Sequence, residues 1–333
     1  MSHVAPSARR LQRASVPPLV IYAGRRALTG ILLALVVSIL VFVGTQVLPG
    51  DAATAILGRD ATPDRVHALR SELGLDRSVP AQYWKWVSGF ASGSFGHSYA
   101  TDEPVTSFIG ERAVNSGVLA VLTILLLIPI SIVLGVWAGV RRDKPIDHAI
   151  STTTLAFIAL PEFASGTVLA VVFAVSLKWL PAVSLVAPGH NPLGTPSILV
   201  LPIAALLLAG LAYTVRMLRA SVVEALAAEY VQMARLNGVP ERRLIWRYVL
   251  PNALAPTVQV IALTLQWLVG GVVVVETVFA YPGIGQGLVQ AVTARDVPVV
   301  QTIAMFIALL YIAVNIVADI VVVLLIPKLR TAQ

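Results

Sequence analysis

Six long apolar runs decide what this 333-residue chain can fold into. A bilayer core about 30 Å thick takes roughly 20 apolar residues per helix. Runs of that order, free or nearly free of charge, recur at Ala27–Val47, Ala113–Val140, Ala149–Leu177, Ile198 to just before Arg216, Asn252–Val278 and Val299–Ile326. The third is interrupted by Pro161 and carries Glu162; Glu276 lies near the end of the fifth, and Asp319 lies within the sixth. Only 12% of residues are charged, against about 25% in soluble domains. The expected fold is therefore an all-α integral membrane protein with six transmembrane helices and both termini on one side.

Basic residues choose the side. With the N-terminus inside, the cytoplasmic segments collect Arg9, Arg10, Arg13, Arg25, Arg26, Arg141, Arg142, Lys144, Arg216, Arg219, Arg235, Arg242, Arg243, Arg247, Lys328 and Arg330. The short outer loops keep only Lys178 and Arg295. Both termini are thus read as cytoplasmic, and the net charge of +7 belongs to the membrane rule, with no nucleic-acid partner implied. The first run is too long for the apolar part of a secretory signal, and Val47-Leu48-Pro49-Gly50-Asp51 is no small-x-small cleavage site, so a retained helix is expected. The chain divides into a cytoplasmic N-terminal arm (1–20), a first transmembrane helix (21–47), an extracytoplasmic insert (48–112), a transmembrane core (113–327) that contains the inner loop 216–247, and a cytoplasmic tail (328–333). The absence of cysteine rules out a disulfide framework, a thiolate metal site and a cysteine nucleophile. Five scattered histidines have no ligand spacing, so no metal site is expected.

Two polar segments need a purpose. In the insert, Thr62-Pro63-Asp64 is a helix start and Gly74 a helix stop, and Tyr83, Trp84 and Trp86 suit a chain that skims the interface. It reads either as a cap packed on the spans or as a surface for an outside partner. In the inner loop 216–247, Ser221–Leu236 lacks Gly and Pro and should be one helix. Gly238 then ends it in the left-handed conformation, and Pro240-Glu241 starts another. A short helix there is either a lever for a cytosolic partner or a mere connector.

That loop resembles a known one. Gln232-Met233-Ala234, Gly238 and later Leu250-Pro251 match in spacing the E-A-A, Gly, Leu-Pro loop of permease subunits in ATP-binding-cassette importers. The chain resembles, more narrowly, a permease of dipeptide/oligopeptide importers. The residues that carry this are Leu48-Pro49-Gly50-Asp51, Leu73-Gly74-Leu75-Asp76, Gln82 to Trp86, Gly93 to Tyr99, Glu276 to Gly285, and Arg295-Asp296. It departs at Gln-Met-Ala in place of Glu-Ala-Ala, at Ser94 where an Asp is common, and at Ile326 where an acid often precedes the Pro.

The resemblance implies the type I importer architecture, with a cytoplasmic coupling helix between helices 4 and 5. It further implies a second homologous permease, two cytosolic ATPase subunits or domains that hold ATP and Mg, and an extracytoplasmic binding protein. The ATPase-coupling residues would be Glu229, Gln232, Ala234, Arg235, Gly238, Leu250 and Pro251. Closure of the ATPases would move this loop and turn the pathway from inward- to outward-facing. Asp51, Asp76, Tyr83 and Trp86 would make the extracytoplasmic contact, and the cargo would be short peptides, nickel or glutathione. The chain itself has no G-x-x-x-x-G-K-[ST] run; Gly283-x-Gly285-x-Gly287 lacks the Lys and reads as a tight turn or re-entrant entry. No catalytic residue and no bound cofactor are expected.

Acids inside a membrane are functional candidates by default. Glu162 and Glu276 are assigned to the translocation pathway, against structural hydrogen bonding at a kink or loop; Asp319, four residues after Asn315, reads as a structural pair. In an ion-coupled secondary transporter these acids would relay protons, but the inner loop would then have no task and no internal repeat is evident. An intramembrane protease needs facing acids or a Ser/His pair, and no such motif surrounds them.

Overall fold

The structure, a computed structural model, describes residues 18–47, 52–57, 61–187 and 189–325. Apart from an isolated bridge between His97 and Pro104, its regular elements are helical. In chain order, α1 (Pro18–Val47) leads through α2 (Ala52–Leu57), α3 (Pro63–Leu73) and α4 (Val79–Ala91) to α5 (Val105–Val140). Next come α6 (Pro145–Ala159), α7 (Glu162–Leu169), α8 (Ser197–Ala227), α9 (Glu229–Leu236) and α10 (Glu241–Leu244). The chain ends with α11 (Leu250–Val278), α12 (Ile284–Ala294) and α13 (Val297–Leu325).

Helices α1, α5, α8, α11 and α13 are each long and apolar enough to span a bilayer. A sixth crossing is broken: α6 and α7 meet at 111°. Pro161 has no N–H to continue the ladder, and Leu160 before it is extended, as a residue preceding proline prefers (ψ 126°). The pair still crosses. Asp147 of α6 is bound to Arg219 near the end of α8, whereas Ser184, beyond α7, donates its N–H to Phe279 O (2.8 Å) and its hydroxyl to Ile198 O (2.6 Å) at the start of α8. Residues 18 and 325 therefore lie at the same end as α9, and α12 lies at the other.

Three boundaries differ from the sequence reading. The first helix begins at Pro18, not in the twenties, because its arginines do not interrupt helical hydrogen bonding. The fourth span does not stop before Arg216 but continues to Ala227 with Arg216 and Arg219 on it, since long basic side chains can reach water from a helix end. Ser221–Leu236 is not one helix: Ala228 is extended (ψ 144°) and divides α8 from α9.

The core centres on α8, buried between α5 and α11 through Leu199, Leu206, Val215, Leu218 and Val222. Backbones come close where side chains are small: a Cβ on Gly139 of α5 would stand 2.6 Å from Val222. α1 runs antiparallel to α13, tied at one end by Gln301 donating to Thr45 (2.8 Å) and at the other by Arg26–Asp319 (3.1 Å).

Candidate functional site

The α9 end carries an elbow. α9 rests on Val231 and Ala234, both buried against Leu218, Val222, Leu244, Val249 and Ala253. At 3.6 residues per turn the opposite face must point away, and there Tyr230, Met233 and Leu236 are exposed, Leu236 at 82%. Trp246 adds a fourth exposed apolar side chain beside a shallow concavity formed with Pro240, Arg242 and Arg243. Such a patch is costly in water and suits a protein surface. Gly238 closes α9 with φ 77°, its N–H on Arg235 O (3.0 Å) and that of Val239 on Ala234 O (3.2 Å). Only glycine takes that conformation without a Cβ penalty.

The other expected loop residues gather around this elbow. Arg235 pairs with Glu241 across the turn (2.6 Å), a hydrogen bond that raises its guanidinium pKa above the ordinary value, and it also touches Gln232 (3.4 Å). Gln232 anchors back on Leu226 O (2.9 Å), and Glu229 opens α9 with its side chain exposed. Leu250 is buried and Pro251 exposed; the helix widens into a π-type turn over Ile245–Val249 where the ring of Pro251 would otherwise meet a carbonyl.

At the far end the structure joins motifs distant in sequence. Glu276 is wholly buried: Ser116 Oγ donates to Oε1 (2.5 Å), and the N–H groups of Gly285 and Gln286 donate to Oε2 (2.7 and 3.2 Å). Its carboxylate thereby caps the first turn of α12 and binds it to α5. Asn115 Nδ2 donates to Pro282 O (2.9 Å), and Tyr281 OH donates to Asn115 O (2.9 Å). Burial, then the nearby Glu276, push the Tyr281 phenol upward, so it stays a protonated donor. Asp296, also buried, accepts from the Ser98 hydroxyl and from Tyr99 N (3.0 Å), clamping the turn after Gly96 onto the start of α13. Ser98, Asn115, Ser116 and Tyr281 were not singled out from sequence as site residues; only the order of the motifs pointed towards them.

The residues assigned to an outside contact lie apart. Asp51 is outside the described residues. Asp76 accepts from the Ser71 hydroxyl on the exposed surface. Tyr83 and Trp86 turn towards α1, with ring centroids 5.4 and 6.0 Å from Phe42, and Tyr83 OH lies 2.8 Å from Ser38 Oγ. Trp84 is the outward ring of α4.

Glu162 stands in the first turn of α7, half-buried, with the ring of Trp267 on α11 close beside it at Gly271. Among the described residues no cluster of His, Cys, Asp or Glu is arranged to hold a metal.

The sequence itself matches a known class of membrane subunit. Residues 131–331 match the family model of the inner membrane component of binding-protein-dependent transport systems, and residues 19–120 match the model of its N-terminal part. The chain belongs to this permease family. It is 35% identical over 306 residues to a Brucella abortus (strain 2308) protein bearing the name peptide transport system permease, covering 92% of this chain and 98% of that one. A peptide ABC transporter permease of Sinorhizobium fredii is 32% identical over 93% of this chain and 99% of its own. The glutathione transport system permease of Escherichia coli K12 is 34% identical, over 89% and 94%. This permease is thus a multi-pass membrane component of an ATP-binding-cassette transport system.

Proposed function

We propose that this permease is the non-catalytic, pathway-forming subunit of a bacterial plasma-membrane importer of short peptides. It pairs with a second, homologous permease, takes cargo from an extracytoplasmic binding protein, and is driven by two cytosolic ATPase subunits or domains, in which ATP and Mg reside. The α9 end faces the cytosol: it carries Arg141, Arg142, Lys144, Arg235, Arg242 and Arg243, as the positive-inside rule favours. Helices α2–α4 and the turn at Ser98 form the extracytoplasmic insert.

The observation that carries this reading is the α9 elbow. Its outer face of Tyr230, Met233, Leu236 and Trp246 offers the ATPases an apolar contact, and its inner face is packed on the ends of α8 and α11, so a push on α9 moves two spans together. Nucleotide acts by favouring one arrangement of these spans over another. The relatives named for peptide transport favour peptide cargo, and the glutathione permease of E. coli makes glutathione, itself a small peptide, the second reading. A nickel permease is a weaker alternative.

The test is purification in mild detergent beside Gly238→Leu. A second six-span chain and P-loop ATPases should accompany the wild type. At φ 77° a leucine costs about 1–2 kcal/mol and stands beside the docking face, so the variant should reach the membrane yet lose most ATP-driven uptake. Unchanged uptake would remove the lever from the mechanism. A chain that purifies alone and moves solute without ATP would overturn the importer reading and return the buried acids to the centre.

A further inference from the structure

Glu162 is a carboxylate that the fold positions without neutralising. Its Oε2 lies against α11 at Gly271, where a Cβ would stand 3.2 Å away, so glycine there gives the carboxylate its seat. Trp267, one turn earlier on α11, flanks the same spot, its ring 3.4 Å from that Cβ position. Three other acids on the spans are engaged, Asp147 by Arg219, Asp319 by Arg26, and Glu276 by Ser116 and two backbone N–H groups, whereas Glu111 on α5 and Glu224 on α8 are exposed towards helix ends. Glu162 takes part in no ion pair among the described residues.

Its depth and face give this meaning. Gly271 stands seven residues before the end of α11 at Val278, about 10 Å along the axis at 1.5 Å per residue. α11 is about 43 Å long against an apolar core of about 30 Å, so the carboxylate lies just inside the outer boundary of that core, below the end that carries α12. It opens onto a surface shared by α7 and α11, where Phe163, Leu263 and Trp267 are exposed and Gln259 and Thr277 lie further along the same stripe. An unpaired acid facing lipid at this depth is strongly disfavoured, whereas one lining a wet pathway is not.

We propose that Glu162, seated beside Gly271 and Trp267, is a station on the pathway wall for a primary ammonium group of the cargo, namely the N-terminal amine of a peptide. This rests on the peptide reading above. The carboxylate supplies the opposite charge. Seated between Gly271 and the Trp267 ring, the carboxylate keeps its acceptor capacity free for the ammonium.

The experiment uses the whole importer, reconstituted in liposomes with binding protein and ATP. Uptake of dialanine, N-acetyl-dialanine and N-acetyl-alanyl-lysine is compared between wild type and Glu162→Gln, with co-purification of the ATPases as the check on assembly. The ratio of variant to wild type is taken for each cargo, so that any preference of the binding protein cancels. Glu162→Gln should lower dialanine uptake about tenfold or more, the loss of one charge-assisted hydrogen bond, and leave N-acetyl-dialanine unaffected. A matching loss for N-acetyl-alanyl-lysine would mean the station also serves lysine side chains; no loss there confines it to the N-terminal amine. Trp267→Ala, which removes the ring that flanks the carboxylate, should lower dialanine uptake in the same selective way. Equal ratios for free and acetylated dialanine would overturn the station, while a wild type that takes up none of these peptides would overturn the peptide reading instead.

Discussion

Glu276 and Gly283 illustrate how one residue constrains another in this permease. Every oxygen of the buried Glu276 carboxylate is used, and the turn that presents two of its donors passes so close that a Cβ on Gly283 would fall 2.0 Å from Oε1. The backbone at Gly283 is extended in an ordinary region (φ −107°), so space and not conformation demands glycine there. Gly238 is the reverse case, with φ 77° and open space around it. Gly283→Ala should therefore displace the carboxylate and cost about 1–3 kcal/mol by overpacking, plus the hydrogen bonds lost. Gly238→Ala should cost about 1–2 kcal/mol by backbone strain alone. Thermal melts of the purified complex read the difference, with Gly283→Ala melting several degrees below Gly238→Ala. Equal melting points would mean that the Glu276 cluster yields easily. The acid itself was conspicuous in the sequence; its partner Ser116, 160 residues earlier, was not.

Among elements, the junction of α6 with α8 bears most on coupling. Asp147, 1% exposed, receives Arg219 Nε (2.5 Å) and Nη2 (2.6 Å), with Asp143 N (2.9 Å) and Ser151 Oγ (3.2 Å) completing its shell. The pair joins the last turns of α8, which lead into α9, to the start of the broken span that carries Glu162. Removing one partner of a buried pair costs about 3–5 kcal/mol because the other charge is stranded. Arg219→Ala should lose about that much, and Asp147→Ala in the same chain should add little further. ATPase activity in Arg219→Ala should persist while uptake falls. Additive losses in the double variant would show that the two side chains act separately. Arg219→Lys should rescue only in part, since an ammonium cannot form the bidentate contact. The six crossings were legible in the sequence because lipid demands length and apolarity of each run. The division at Ala228 was not, because alanine favours helix; burial of Val231 and Ala234 against the ends of α8 and α11 fixes the break instead. Likewise Gly93–Tyr99 and Arg295-Asp296 were recognisable separately, but nothing local states that Asp296 holds Ser98.

At the scale of the whole molecule, the permease is fastened at one end and jointed at the other. Glu276, Asp296, Asn115 and Tyr281 bind α5, α11, α12 and α13 where α12 lies, while the α9 end is divided by Ala228, Gly238 and the wide turn before Pro251. Movement introduced at α9 must therefore be taken up along the spans, and the break at Pro161 is the place where a span already bends. The two long outward stripes differ in kind. On α5, Val114, Val121, Leu125 and Val133 are exposed and form a stripe that is apolar beyond Glu111 near its start, as befits a dry surface covered by lipid or by another subunit. On α11, Leu263, Trp267 and Val274 are exposed between Gln259 and Thr277, with Glu162 beside Trp267, as befits a surface that meets water. The chain has no cysteine of its own, so single cysteines report their own surroundings. In the assembled importer, Leu263→Cys and Phe163→Cys should react with a charged, membrane-impermeant thiol reagent at least about tenfold faster than Val121→Cys or Leu125→Cys, because thiolate forms in water and hydrocarbon excludes the reagent. Nucleotide should change the rate at Leu263 and Phe163 and leave the α5 positions as they were. If all four positions react alike, or only those on α5 respond to nucleotide, the pathway runs along another face and Glu162 lies outside it.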